Sequence, residues 1–264
     1  MTNSDGYHDP FIARTYDLVV PYRHRRDVEF FVEMARAAGG PVLELACGTG
    51  RVLLPIARAG VPITGLDLSP AMLAVCRERL ALEPPAIQEK VHLMEGDMRR
   101  FAMAERFALV LIPFRSFQHL LTVEDQLACL QRCRDHLKEH GQLVLDLFNP
   151  CLSYLSDERF LEVTESEPEF ILDDGTRIVR QNRLLARDLF NQVIDMEFLY
   201  RITYPGGRHG SIAHRFSMRY LFRYEVEHLL ERAGFQVEAV YADYKKAPYG
   251  SQYPGELIVV ARKR

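Results

Sequence analysis

The chain has 264 residues, 48% of them hydrophobic and 26% charged, with a formal net charge of −3. That is enough for one large α/β domain with an embellishment, or two small domains, and it excludes wholesale disorder. Lysines and arginines are scattered, so no basic block marks a nucleic-acid surface. The densest basic run, Arg23-His24-Arg25-Arg26, reads as a solvated helix face. The five cysteines are odd in number and contain no C-x-x-C pair, no stretch of 18 apolar residues occurs, and the first residues lack a basic-plus-apolar signal. The chain therefore reads as a soluble, cytoplasmic protein with free thiols and no membrane segment.

Residues 1–22 are polar with interspersed aromatics, among them Tyr7, Phe11, Tyr16 and Tyr22. Helical spacing over 25–38 stops at Gly39-Gly40, and an alternation begins. Strands are predicted at 41–46, 61–66, 91–95, 107–112 and 142–148, with helices at 51–59, 69–82 and 124–138. Ser69-Pro70 supplies an N-cap and a proline at the first helical position. Strand and helix alternating at this rhythm imply parallel βαβ units, with ligands at the carboxyl ends of the strands. Those ends carry Glu44, Asp67, Asp97, Pro113 and Asp146.

From about residue 150 the pattern changes to long strands at 177–185, 192–204 and 212–220. Turns at Asp173-Asp174-Gly175 and Pro205-Gly206-Gly207 make them antiparallel neighbours. A helix at 225–233 and strands at 235–241 and 256–261 close the chain. The expected fold is α/β: a Rossmann-like, mostly parallel seven-stranded sheet with helices on both faces, plus an inserted antiparallel β subdomain. The expected division is an N-terminal lid (1–24), a sheet domain (25–149 and 223–264) and the insertion (150–222).

The stretch "VLELACGTGRVLLPIARAG" carries the chemistry. Gly48 and Gly50 could open a dinucleotide fingerprint, but Leu53 stands where the third glycine belongs and would hold the helix away from the strand. Glu44 would repel a diphosphate and attract a cation, by about 4 kcal/mol at 4 Å and an effective dielectric of 20. S-adenosylmethionine suits that field, with a sulfonium, an α-ammonium and no phosphate. Glu44-Leu45-Ala46-Cys47-Gly48-Thr49-Gly50 resembles the first motif of the class I S-adenosylmethionine-dependent methyltransferases, with Ala46 in place of the usual first glycine, a mild deviation. The resemblance covers roughly residues 25–150 and 222–264.

The resemblance implies S-adenosyl-L-methionine as the cofactor. In "GLDLSPAML", Asp67 matches the ribose ligand, with Leu68 and Met72 flanking the adenine. In "EGDMRRF", Asp97 and Met98 match the adenine edge, although Asp97 also reads as a plain turn residue. The loop "IPFRSFQHL" lacks the N/D-P-P-Y/F motif of nucleic-acid amine methylation, which argues for a small-molecule acceptor and no nucleic acid. It is similar to the loop of amino-sugar N,N-dimethyltransferases and glycine N-methyltransferase-like enzymes. There Pro113 borders the cofactor, and His119 stands as base or orienting group, or as a locally satisfied histidine. Tyr16 matches a lid tyrosine facing the cofactor's methionine end or the acceptor, or else anchors core. Arg115 either meets an acidic acceptor or caps its loop, and Arg25 is a candidate for the methionine carboxylate. No metal is called for. The insertion should roof the acceptor site, and its edge or face could pair two subunits. The leading expectation is methyl transfer to N or O of a small molecule. A non-catalytic S-adenosylmethionine-binding module and a nicotinamide-dependent oxidoreductase are the alternatives.

Overall fold

A computed structural model describes residues 6–23 and 25–264, so the first five residues and His24 of the basic run lie outside the described residues. Asp9 caps the short helix α1 (Pro10–Thr15), accepting from the Phe11 N–H at 2.8 Å. A 3₁₀ turn (Tyr16–Leu18) and α2 (Val20–Arg23) follow. Helix α3 (Val28–Ala38) buries Phe30, Phe31, Met34 and Ala35 and ends at Gly39, whose φ of +64° suits glycine.

The alternation then runs β1 (Val42–Leu45), α4 (Leu53–Arg58), β2 (Ile63–Asp67), α5 (Pro70–Ala81), α6 (Pro85–Gln88), β3 (Val91–Glu95), β4 (Phe107–Ile112), α7 (Val123–His136) and β5 (Leu137–Leu147). Next come α8 (Leu152–Ser156), α9 (Arg159–Glu162), β6 (Glu165–Ser166), β7 (Phe170–Ile171), β8 (Arg177–Asp188), β9 (Val193–Thr203) and β10 (His209–Arg219). Helix α10 (Arg223–Arg232) and strands β11 (Phe235–Tyr241) and β12 (Leu257–Lys263) complete the chain.

One sheet has the order β11-β12-β5-β4-β1-β2-β3. Strand β12 runs antiparallel to both neighbours, and the remaining pairs are parallel. The chain builds outward from β1 to β3 and returns to lay β4 on the other side of β1. A crevice therefore opens at the carboxyl ends of β1 and β4, where the winding reverses. Both faces are covered. Cys129, Leu130 and Cys133 of α7 and Val226 and Leu230 of α10 share one core with the sheet. Phe31 of α3, Leu54 of α4 and Leu73 of α5 share the other. This burial on both sides explains why β1, β2 and β4 are apolar almost throughout.

The second sheet is antiparallel, in the order β10-β9-β8-β6, with β7 also paired to β8. Its inner face buries Ile178, Tyr200 and Ile202 against Ile12 and Val19 of the N-terminal segment. That segment is also fastened to the glycine loop: the Thr49 hydroxyl donates to Asp17 at 2.6 Å, and Arg79 pairs with the same carboxylate.

Three local expectations are corrected. The helix predicted over 124–138 stops at His136, and β5 starts at Leu137, because Leu137 is buried and already pairs with Phe107 before a register shift. Helices α6, α8 and α9 were not foreseen, each being four or five residues long with little periodicity to read. The basic run is no solvated helix face at Arg25, which lies outside any helix with its side chain only 13% exposed. No helix among the described residues is long and apolar enough to cross a membrane.

Candidate active site

Backbone geometry shapes the loop after β1. Ala46, Gly48 and Gly50 all have left-handed φ, at +57°, +55° and +82°. A Cβ on Gly50 would lie 2.7 Å from Cys76 Sγ, so that glycine lets the loop press on α5. A Cβ on Gly48 would meet no protein atom within 4 Å, which leaves the backbone there open to the cavity. Ala46 holds a conformation that costs an L residue about 1–2 kcal/mol, so its departure from glycine carries a cost rather than being neutral.

Leu53 does not hold α4 away from the sheet. Gly65 of β2 provides the room: a Cβ there would stand 2.3 Å from Leu53 Cδ1 and 2.8 Å from Cys47 Sγ. Close helix–strand packing is thus reached by a glycine in the strand instead of one in the helix, a signal visible in "ITGLD" once the two are paired.

One cavity of about 790 Å³ lies at the carboxyl ends of the strands, within the range of small-molecule sites. Glu44, Asp67 and Asp97 all line it. Glu44 is 2% exposed, and its Oε2 has no hydrogen-bond partner among the described residues. Burial drives its pKa well up; the charge of Arg51 opposes this, while Asp67 and Asp27 reinforce it. Asp67 accepts from the Gly48 N–H at 2.7 Å and the Ser69 N–H at 2.8 Å. Both of its oxygens are thereby anchored by main-chain amides at the cavity wall. Leu68, 55% exposed, and the buried Met72 stand beside it in the wall, with Ala46 and Met98. Asp97 is less free than expected. Arg99 brackets its carboxylate, with Nη2 at 2.7 Å, and holds its pKa below the usual range.

The loop after β4 forms the opposite wall. Pro113 is followed by two left-handed residues, Phe114 at φ +54° and Arg115 at φ +68°. Asp146 at the end of β5 secures both, accepting from the Phe114 N–H at its carboxylate (3.0 Å) and from the Arg115 N–H at its carbonyl (2.9 Å). The buried Gln118 side chain exchanges hydrogen bonds with the Phe148 backbone, at 2.6 and 3.3 Å. These ties set His119 in the cavity wall, its ring 5.8 Å from Tyr7 and 5.5 Å from Phe216. Tyr16 packs edge-on to Tyr7 and Phe114 and beside Tyr22. Burial, then the neighbouring tyrosines, push its hydroxyl pKa well up, which favours the protonated form. Arg115 lies over the Phe148 ring at 4.9 Å, and its Nε has no partner among the described residues.

Arg25 lines the cavity but is engaged by protein carboxylates: Asp27 and Asp146 at 3.2 Å each, Glu256 at 3.7 Å, and the Tyr244 hydroxyl. Arg51, which the motif reading passed over, bonds Asp27 through both terminal nitrogens at 2.6 Å. The roof was the least foreseen part. Arg180 of β8 is 2% exposed, stacked on Tyr22 and Phe198 at 4.3 and 4.2 Å and paired with Glu167, with Nη1 left without a partner among the described residues. Glu167, Arg180, Asn182 and Phe198 all reach the same cavity. Among the described residues no group of three or more His, Cys, Asp or Glu side chains is placed to hold a metal ion.

A seven-stranded sheet with one reversed strand, a glycine loop at the switch point and an unpartnered acid beneath it define a class I, Rossmann-like nucleoside-binding methyltransferase fold. Residues 42–141 match the family model described as "Methyltransferase domain". The chain is 33% identical over 141 residues to a dTDP-3-amino-3,6-dideoxy-alpha-D-glucopyranose N,N-dimethyltransferase of Streptomyces fradiae, covering 51% of this chain and 52% of that one. It is 27% identical over 214 residues to a dTDP-3-amino-3,4,6-trideoxy-alpha-D-glucopyranose N,N-dimethyltransferase of Streptomyces venezuelae, covering 80% and 82%. Its fold is similar to that of the CcbJ methyltransferase of Streptomyces caelestis, with a TM-score of 0.76 at 22% identity, covering 100% of this chain and 99% of that one. The chain is an S-adenosylmethionine-dependent methyltransferase. The nicotinamide oxidoreductase and non-catalytic readings are not favoured. The residues present fit the cofactor, since Glu44 offers a buried acceptor, Oε2, that no group among the described residues uses, and Gly48 leaves the backbone open.

Proposed function

We propose that this methyltransferase acts on the amino nitrogen of a small amino sugar. One observation carries the reading: a single cavity runs from Glu44 and Asp67 beneath to Arg180 and Phe198 above, with His119 and Tyr16 between. The two Streptomyces relatives, which are named for amino-sugar N,N-dimethylation, support it. A mixed wall of aromatic rings and hydrogen-bonding side chains suits a polar ring better than a flat phenol or a nucleic-acid strand.

When bound, S-adenosylmethionine supplies an electrophilic methyl on a sulfonium. Glu44 faces its cationic end, Asp67 takes the ribose hydroxyls, Leu68 and Met72 flank the adenine, and Asp97 and Met98 meet its edge. Ala46, Gly48, Gly50 and Pro113 complete the cofactor wall. Arg25, already paired with Asp27 and Asp146, orders that wall more than it binds the methionine carboxylate. His119 takes the proton that an ammonium acceptor must lose, and Tyr16 donates a hydrogen bond that orients the reacting end. Arg115 and Arg180 address the acceptor's oxygens.

In this reading residues 1–24, of which 6–23 are described, form the lid, 25–149 and 223–264 the cofactor domain, and 150–222 the roof. The free thiols accord with a reducing, cytoplasmic setting. Among the described residues strand β10 pairs on one side only, an edge through which two copies could associate. The decisive experiment incubates the protein with S-adenosylmethionine and a panel of nucleotide-linked amino sugars, their hydroxyl analogues, phenols and small peptides. Mono- and dimethylated amino sugars with untouched hydroxyl analogues are expected. Methylation confined to phenols or peptides would overturn the acceptor assignment, and cofactor binding without any turnover would favour a binding module.

A further inference from the structure

Two guanidinium groups line a cavity that has to receive a cation. Arg25 and Arg51 both border it, and Arg51 follows Gly50 directly in the loop above Glu44. Arg51 is near enough for its charge to oppose the pKa rise that burial imposes on Glu44. A free guanidinium beside a buried, unpartnered carboxylate would close on it and fill the cation's place. Yet Glu44 Oε2 has no partner among the described residues.

Asp27 accounts for this. Its carboxylate is fully buried. It takes both terminal nitrogens of Arg51 at 2.6 Å and Arg25 Nε at 3.2 Å. Arg25 in turn is held from the far side by Asp146 at 3.2 Å. Both guanidinium groups then lie over the Phe114 ring, at 4.8 and 5.1 Å. Burial alone would lift the pKa of Asp27, but the hydrogen bonds and charge of Arg51, with Arg25 behind it, hold it below the ordinary range, so Asp27 is anionic whenever it is needed. Asp27 and Asp146 thus engage the two arginines between them, and Glu44 Oε2 is left without a hydrogen-bond partner among the described residues.

We propose that Asp27 is a positioning residue that holds Arg51 off Glu44 and so keeps the Glu44 carboxyl group open to the cofactor's cation. The proposal rests on the cofactor reading above and adds a residue to it that lies outside the glycine motif. It is tested by calorimetric titration of S-adenosylmethionine, and of S-adenosylhomocysteine, which lacks the sulfonium charge, into the wild type, Asp27→Asn, Arg51→Met and the double variant. Asp27→Asn is expected to weaken S-adenosylmethionine at least tenfold and the homocysteine product less. Arg51→Met is expected to stay within about threefold of wild type, and the double variant to recover to that level, because removing Arg51 makes its restraint unnecessary. Equal losses for both ligands in Asp27→Asn, or no recovery in the double variant, would overturn it. So would a tenfold loss in Arg51→Met alone, which would make Arg51 itself a ligand; this arm remains informative if Asp27→Asn does not fold. Failure of the wild type to bind S-adenosylmethionine would instead strike the functional reading.

Discussion

On the floor of the cavity Asp67 is gripped by two backbone amides, and the glycine loop is bent by its own φ angles. In the roof Arg180 is gripped by a carboxylate and two aromatic rings contributed by separate elements. The floor is fixed by the path of one short segment, and the roof by side chains that meet only after β8, β9 and the N-terminal segment have packed. A part made from backbone keeps its ligand while sequence varies around it. A part made from side chains can be retuned one residue at a time, which suits a cofactor that is shared and an acceptor that is not.

The sharpest way to break this contrast is at the floor. Glu44→Gln keeps the shape and removes the charge. It is expected to weaken S-adenosylmethionine by about 2–3 kcal/mol, roughly 30- to 150-fold, whichever acceptor is present. Calorimetry reads this directly, and an unchanged affinity would deny the floor its electrostatic role. Next comes pH. Burial raises the pKa of Glu44, and a cation beside it favours the ionised form, so binding below that pKa expels a proton. Affinity should therefore climb as pH rises, by at most about tenfold per unit, and level off once Glu44 is ionised in the free protein. Titrations in buffers of different ionisation heat would reveal the proton, and a flat profile would contradict the assignment.

The roof is tested by Arg180→Met with Glu167→Gln, a pair chosen so that no buried charge is stranded. The expected result is an acceptor KM raised about tenfold with the S-adenosylmethionine affinity unchanged. If both affinities fell together, floor and roof would not be separable. The smallest effect is expected at Ala46→Gly, which relieves left-handed strain but loosens the unfolded chain; a net gain below about 1 kcal/mol should appear as a slightly higher Tm.

The same contrast explains what could be read from the sequence. The sheet alternation, the glycine loop, Glu44 and Asp67 belong to short contiguous patterns, and the structure brings those two acids to one cavity. The antiparallel strands were legible from their turns, because Pro205-Gly206-Gly207 and Asp173-Asp174-Gly175 bracket runs of alternating side chains. Leu53 misled, since its partner Gly65 lies on another strand and only the packed pair shows why leucine is accommodated. Arg25 misled for a related reason: a cluster of basic residues looks solvated until Asp27 and Asp146 are seen to enclose it. Arg180 and Glu167 were invisible, being thirteen residues apart, one on β8 and the other just past the end of β6, with no motif to join them. Asp97 was found, but its bracketing by Arg99 depends on rotamers that no spacing rule fixes.

The grip on Asp67 has an evolutionary corollary. Because the amides of Gly48 and Ser69 aim it, its direction follows the course of the main chain at both ends of the loop pair. A carboxylate aimed in this way tolerates exchange of the side chains of Gly48's and Ser69's neighbours, provided the backbone path is kept.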